Sequence, residues 1–229
     1  MVARQPRRDA RNLVMGPGRK IPRSPASRPQ RPDPPPDAGE TAPDVAKAAG
    51  ELLALAAQIR ECKVCGVGSF VLGTGSPRAP VMLLRDHPSA ADLESGGAFT
   101  DEADPLTKAF DALGIPAGWI YGTTVVRHQA SVPSDDDIAH GCEHVLVEVE
   151  AVGPSVIVAF GERAAAALAT LDGRCGLAVP DELGPGDPIR VRSDLVVLVT
   201  EALPDGVTQR DAKRRLWRDL QAVPKVLET

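Results

Sequence analysis

The sequence predicts an α/β fold, a three-layer α/β/α sandwich around a short, mostly parallel sheet, preceded by a disordered basic arm. Two observations predict it. First, short apolar runs that read as buried strands recur along the chain, each followed by a helical segment. That βαβ rhythm argues for parallel strands covered by helices. Second, residues 1–43 hold ten of the 22 prolines, many arginines and almost no apolar clusters. Such a segment cannot bury enough surface to offset its ordering entropy. The predicted organisation is therefore an arm over 1–43 and one folded domain over 44–229. A chain of 229 residues has room for one sizeable domain or two small ones.

Asp44 to Ile59 shows helical spacing, with Val45, Ala49, Leu52, Leu53, Ala56 and Ile59 on one face. Val81 to Leu84 reads as a buried strand. Asp104 to Leu113 reads as a helix, stopped by Gly114 and Pro116. Trp119 to Val126 is a predicted strand. Asp135 to Val152 is a predicted helix whose opening run of acids suits its positive end. Ser155 to Phe160 is a strand, followed by a turn at Gly161 and an alanine-rich helix. Val196 to Val199 is the last strand, and Thr208 to Val223 closes with an amphipathic helix. In sheets of this kind the ligand crevice lies beyond the carboxyl ends of the strands. The informative loops are those after Leu84, Val126, Phe160 and Val199.

Charge is unevenly spread. Residues 1–32 carry nine basic residues and one acid, net +8, whereas 33–229 carry 17 basic and 30 acidic residues, net −13, giving −5 overall. Four cysteines without an apolar signal segment suit a reducing, cytoplasmic compartment rather than a disulfide scaffold. Arginine outnumbers lysine 20 to 6, a composition that suits a bacterium with a GC-rich genome. No run of ~18 apolar residues exists to span a membrane. A monomer is expected.

Cys62-Lys-Val-Cys65 is the strongest local signal. Two thiols at this spacing can grip one metal from a single turn. Two further ligands are needed, and Cys142, His128, His140, His144 and Cys175 are the candidates. His140 and His144 are four apart on one predicted helix, a spacing that could hold a metal; an exposed helical pair is the commoner outcome. Structural thiols near a helix end are the plain alternative.

Read in order, several segments resemble an iron–sulfur uracil-DNA glycosylase of the family 4 type, over roughly residues 46–223. They are Ile59 to Cys65, the turn Leu72 to Pro77, the strand and loop Val81 to Ser89, and Gly97-Ala-Phe99. Gly122 to His128, Gly141-Cys142, Val156 to Gly161, Val199 to Pro204 and Lys213 to Trp217 complete the series. The resemblance implies a metal set of Cys62, Cys65, His128 and Cys142, holding a 4Fe-4S cluster. Histidine replaces the family's third cysteine there, and three thiolates with one imidazole also suit structural zinc. A lost, empty site is the remaining alternative.

It also implies a base pocket of Phe99, as the stacking ring, with Thr124 and Leu203 at positions where the family carries an Asn and a His. Neither replacement does the original's work, since a hydroxyl makes fewer bonds than an amide and leucine donates none. The acidic position of the active loop falls on Asp86, with His87 beside it as a candidate acid–base partner. Bulky Arg85 and Ser89 stand where the family has glycines. Lys213, Arg214, Arg215 and Arg218 on the closing helix could meet DNA phosphates, or form a solvated face. The basic arm is the main expected route to DNA. The implied function is DNA-repair related, with base excision weak, altered or lost. The alternatives are a non-catalytic, metal-stabilised module binding nucleic acid or protein, and a zinc-stabilised interaction domain with no nucleic-acid role.

Overall fold

The computed structural model of the chain describes residues 42–65, 68–129 and 132–229. The expected arm therefore lies, but for its last two residues, outside the described residues. The described part runs α1 (Ala42–Glu61), β1 (Thr74–Gly75), β2 (Val81–Arg85), α2 (Ala90–Ser95), α3 (Ala103–Ala112), β3 (Ile120–Thr124) and α4 (Asp135–Val152). It continues with β4 (Val156–Phe160), α5 (Glu162–Ala169), β5 (Ile189–Arg192), β6 (Leu195–Thr200), α6 (Asp205–Thr208), α7 (Arg210–Leu220) and α8 (Val223–Leu227).

Six strands form one sheet in the order β1-β3-β2-β4-β6-β5. The central four are parallel, and β1 and β5 add antiparallel edges. The expected α/β/α sandwich is present, because successive residues of each strand feed opposite layers. Met82, Leu84, Ile157, Ala159, Val197 and Val199 point to one face, where α4 and α5 pack and α1 lies against α4. Val81, Leu83, Val156, Val158, Phe160 and Leu198 point to the other, with side chains of α3, α7 and α8. Both faces are covered, so the strands read as unbroken apolar runs rather than alternating ones. Each fully buried aliphatic side chain contributes ~1.5–3 kcal/mol.

Three expectations need correcting. In α1 the buried face is Ala48, Leu55 and Ile59, with Leu52 partly covered, while Leu53 is 71% and Val45 38% exposed. The helix is rotated from the expected face because Leu52, Leu53 and Leu55 leave its apolar stripe ambiguous. The strand expected over Trp119 to Val126 is confined to β3, Trp119 ending a 3-10 turn. The closing helix is three helices, α6, α7 and α8. By contrast α4 keeps its expected limits, since Ser134 caps it reciprocally with Asp137 and Gly153 ends it in the left-handed conformation. Among the described residues, no helix is long and apolar enough to cross a membrane.

Candidate functional site

The chain crosses from one side of the sheet to the other between β2 and β4, and a crevice at such a switch point is where open α/β sheets bind ligands. A cleft of ≈ 420 Å³ opens there, walled by the loops after β2, β4 and β6. Three of the four loops singled out in the sequence thus converge. Gly161 turns the chain at φ 90, and a Cβ there would come within 2.9 Å of the Ala202 methyl, so the β4 and β6 loops meet only because this residue is glycine.

Asp86 and His87 both line the cleft. Adjacent residues ordinarily diverge, yet His87 Nδ1 lies 3.0 Å from Asp86 Oδ2. The approach lacks hydrogen-bond alignment, and Nδ1 has no hydrogen-bond partner among the described residues. Burial raises the Asp86 carboxyl, but the nearby His87 ring together with the backbone N–H groups of His87 and Asp86 more than offsets it and holds the group below the ordinary carboxylate range. Arg163, from the first turn of α5, reaches to 3.7 Å of the same oxygen and donates through Nη2 to Pro133 O at 2.6 Å. Arg163 was not singled out in the sequence; its place just after the β4 turn is the signal that could have found it.

The expected base pocket is built differently. Leu203 lines the cleft, but Thr124 is fully buried and donates its hydroxyl to Val126 O at 2.7 Å. Phe99 is only 5% exposed and lies against Gly122, where a Cβ would meet its ring at 2.9 Å. Phe160 packs beside it, centroids 5.5 Å apart, and the Arg85 guanidinium stands 5.7 Å over the ring. Phe99 holds φ 64, a strained value for a bulky residue that its packing must offset. The ring borders a ≈ 160 Å³ pocket whose walls include Leu83, Leu106, Phe110 and Ile120 and carry no acid, amide or imidazole.

Arg85, expected in the active loop, turns inward instead. Its Nη1 sits 3.2 Å from Asp92 and 3.2 Å from Glu102, all three being buried. Ser89 caps α2 reciprocally with Asp92. Burial, ahead of the neighbouring charges, raises the Glu102 carboxyl.

The cysteines form a second site, and its geometry groups residues that differ in part from the set implied by the resemblance. Cys62, Cys65, His140 and His144 bring ligand atoms within 4.8 Å of one another and could hold a metal. His128 is instead held to Asp137, Nε2 to Oδ1 at 3.4 Å, and its backbone bridges to Phe70. Cys142 is buried toward α5, donating to Ala167 O at 3.3 Å and accepting from Thr170 Oγ1 at 3.2 Å. Helix periodicity explains the exchange. His140 and His144 share a face, whereas Cys142 between them points to the far side. Cys175 is exposed and outside the group.

Burial raises the Cys62 thiol, but the N–H groups of Cys65 and Val64 donating to Sγ, and His140 at 3.2 Å, bring it down to about 7. Burial and the neighbouring Cys62 push Cys65 up to about 12. Burial, then Arg127 and His140, lowers His144 to about 4, so its ring is neutral near pH 7.

On α7, three of the four candidate phosphate contacts have acid partners: Arg214 with Asp211, Arg215 with Glu201 and Arg218 with Asp219. Lys213 makes no ion pair among the described residues. The Arg214 pair is exposed on both sides and worth little, whereas Arg218 meets a buried Asp219.

No curated protein matches the chain. The family model described as the uracil DNA glycosylase superfamily matches residues 72–221, from the turn before β1 to the end of α7. That span is most of the described domain and contains the cleft, Phe99, His140 and His144, while Cys62 and Cys65 precede it. With this match on a mostly parallel sheet flanked by helices, the chain belongs to the uracil DNA glycosylase superfamily.

Proposed function

We propose that the protein is a DNA-repair protein of this superfamily that engages DNA as a monomer and excises uracil very slowly or not at all. The observation that carries the reading is the covered ring of Phe99, with Arg85 over it and Phe160 beside it. An enzyme of this class flips its base into a pocket, stacks it on an aromatic face and reads its pairing edge. A ring buried to this degree accepts a base only if the Arg85 clamp leaves. Thr124, at the amide-reading position, already gives its one proton to Val126 O. Leu203 has nothing to donate to the charge that develops on a departing base. One such donor is worth ~10²–10³ in rate.

Likeness to the family 4 iron–sulfur type rests on the ordered segments, above all Val156 to Gly161. Residues 1–32 of the basic arm, net +8 against −13 for 33–229, are the main source of affinity for DNA in this reading, with α7 second. A divergent enzyme acting on another base is the second reading. The contact of Asp86 with His87 inside an open cleft favours it.

Excision from single-stranded and mismatched uracil oligonucleotides tests both. Turnover should fall at least ~10³-fold below a catalytically intact superfamily member, as expected for lost donors. Comparable turnover would overturn the proposal. Slow excision abolished by Asp86→Asn would transfer support to the second reading. Duplex binding by the full chain should weaken steeply with salt, and a chain starting at Asp44 should lose most of it.

A further inference from the structure

The corner where α1 ends against α4 lies apart from the cleft, and its chemistry does not depend on whether the protein excises bases. A four-iron cluster on Cys62, Cys65, His128 and Cys142 does not fit this fold. Cys142 occupies the far side of α4 with both its hydrogen-bonding roles filled by α5 and Thr170. His128 turns its Nε2 to Asp137, 3.4 Å from Oδ1, although its buried Nδ1 has no hydrogen-bond partner among the described residues. Moreover, in a four-iron cluster each ligand holds a different iron, and bridging sulfides keep the irons apart. The ligands of a cluster therefore stand farther from one another than ligands sharing one ion.

The geometry points instead to a single-ion site: Cys62, Cys65, His140 and His144 hold one tetrahedral divalent cation of the zinc class. All four ligand atoms lie within 4.8 Å of one another. Zinc bonds of ~2.0–2.3 Å put tetrahedral donors ~3.3–3.8 Å apart, so small movements close the shell. Cys62 Sγ and His140 Nε2 already stand 3.2 Å apart. Two thiolates and two imidazoles are a donor set that selects zinc over magnesium or calcium.

Three independent features complete the site. His144 Nε2 is buried with no hydrogen-bond partner among the described residues, a lone pair the fold itself leaves unused. The backbone N–H groups of Val64 and Cys65 both donate to Cys62 Sγ at 3.4 Å, the outer support that a metal-bound thiolate requires. Cys65 is 1% exposed and packs with Leu55 and Ile59 of α1. An ion here would pin the end of α1 and the turn after it to α4. Four protein ligands leave no open position for a reacting water, so the site is structural.

The test is metal analysis of the full chain, followed by Co²⁺ titration of metal-free protein. One zinc per chain with little iron or sulfide is expected, and Co²⁺ should give the intense visible bands of tetrahedral cobalt with thiolate charge transfer. Cys62→Ser and His140→Ala should each weaken Co²⁺ binding at least ~100-fold, since even outer-shell changes cost 10–100-fold. His128→Ala and Cys142→Ala should leave the spectrum unchanged. Should metal-free protein unfold, recovery of its circular dichroism on adding one equivalent of Co²⁺ would support the same site. Iron and sulfide bound in equal, multiple equivalents and lost in Cys142→Ala would overturn the proposal. So would a weak octahedral cobalt spectrum indifferent to Cys62→Ser and His140→Ala.

Discussion

Apart from the Asp86–His87 cleft, two regions of this molecule carry chemically capable side chains, and they differ in whether the fold itself satisfies them. Around Phe99 every such group is answered from within. Arg85 meets two buried acids, Thr124 meets a carbonyl, and the ring is covered on several sides. At the end of α1 the opposite holds, for Cys62, Cys65, His140 and His144 converge and a buried imidazole nitrogen is left without a hydrogen-bond partner among the described residues. Buried polar groups without partners are costly, so they mark a place where something from outside is to be bound. Satisfied ones mark a place where the fold has closed. The comparison assigns the Cys/His corner to a ligand and the Phe99 side to stability.

The sharpest way to break it is to open the closed side. Arg85→Met removes the guanidinium that Asp92 and Glu102 share. Leaving buried charge uncompensated typically costs ~3–5 kcal/mol. Chemical denaturation should show a loss of that size, and uracil excision should not rise with it. A near-neutral effect on stability would mean that the clamp is incidental and that a base could displace it.

The next effect comes from emptying the open side. Cation held at ~1,000 times its dissociation constant stabilises a fold by ~4 kcal/mol. For a domain of this size that is a fall of ~8–16 °C in melting temperature on chelation. His128→Ala should show the same chelator-induced shift as the unaltered chain, whereas Cys62→Ser should melt low with or without chelator. A chain indifferent to chelator would place the Cys/His corner among ordinary packed side chains.

Where the sequence speaks in unbroken runs, it is legible. β2, β4 and β6 are apolar but for the closing Arg85 and Thr200, and Ser134, the acid run and Gly153 mark both ends of α4. Register and facing are harder. Leu52, Leu53 and Leu55 permit several helical faces, and only tertiary packing, with Leu55 in a cluster with Cys65, Phe70 and Leu72, selects the one observed. Thr74–Gly75 is too short to read as a strand, and Ile189–Arg192 forms an edge whose pairing is set by β6. The metal ligands show the same limit. Alignment by segment order put His128 and Cys142 beside Cys62, while the turn-by-turn geometry of α4 brings His140 and His144. Their i, i+4 spacing was visible, but nothing in the sequence says which face of α4 meets the end of α1. The Arg85 clamp was invisible for another reason, because its partners Asp92 and Glu102 lie in separate elements that only tertiary folding brings together.

The smallest expected effect refines the closed side rather than breaking it. Burial, outweighing Arg85, raises the Glu102 carboxyl above its unfolded value. A folded state that holds a proton more tightly than the unfolded state is favoured by acid. The stability this group contributes is fully present below the unfolded carboxylate range, and it is lost as pH rises through the raised folded value. Glu102→Gln fixes the side chain in a neutral form that can still accept from Arg85. The melting temperature of this variant, measured relative to the unaltered chain, should therefore climb as pH rises from the acid range toward neutrality. The slope is the readout, since a constant offset reports only altered packing, and Asp86, whose shift has the opposite sign, cancels between the two proteins. A difference that falls with pH would mean that Arg85 keeps Glu102 ionised in the folded state while it still titrates in the unfolded chain. The clamp would then be a plain ion pair rather than a guanidinium shared by an acid and a carboxylate.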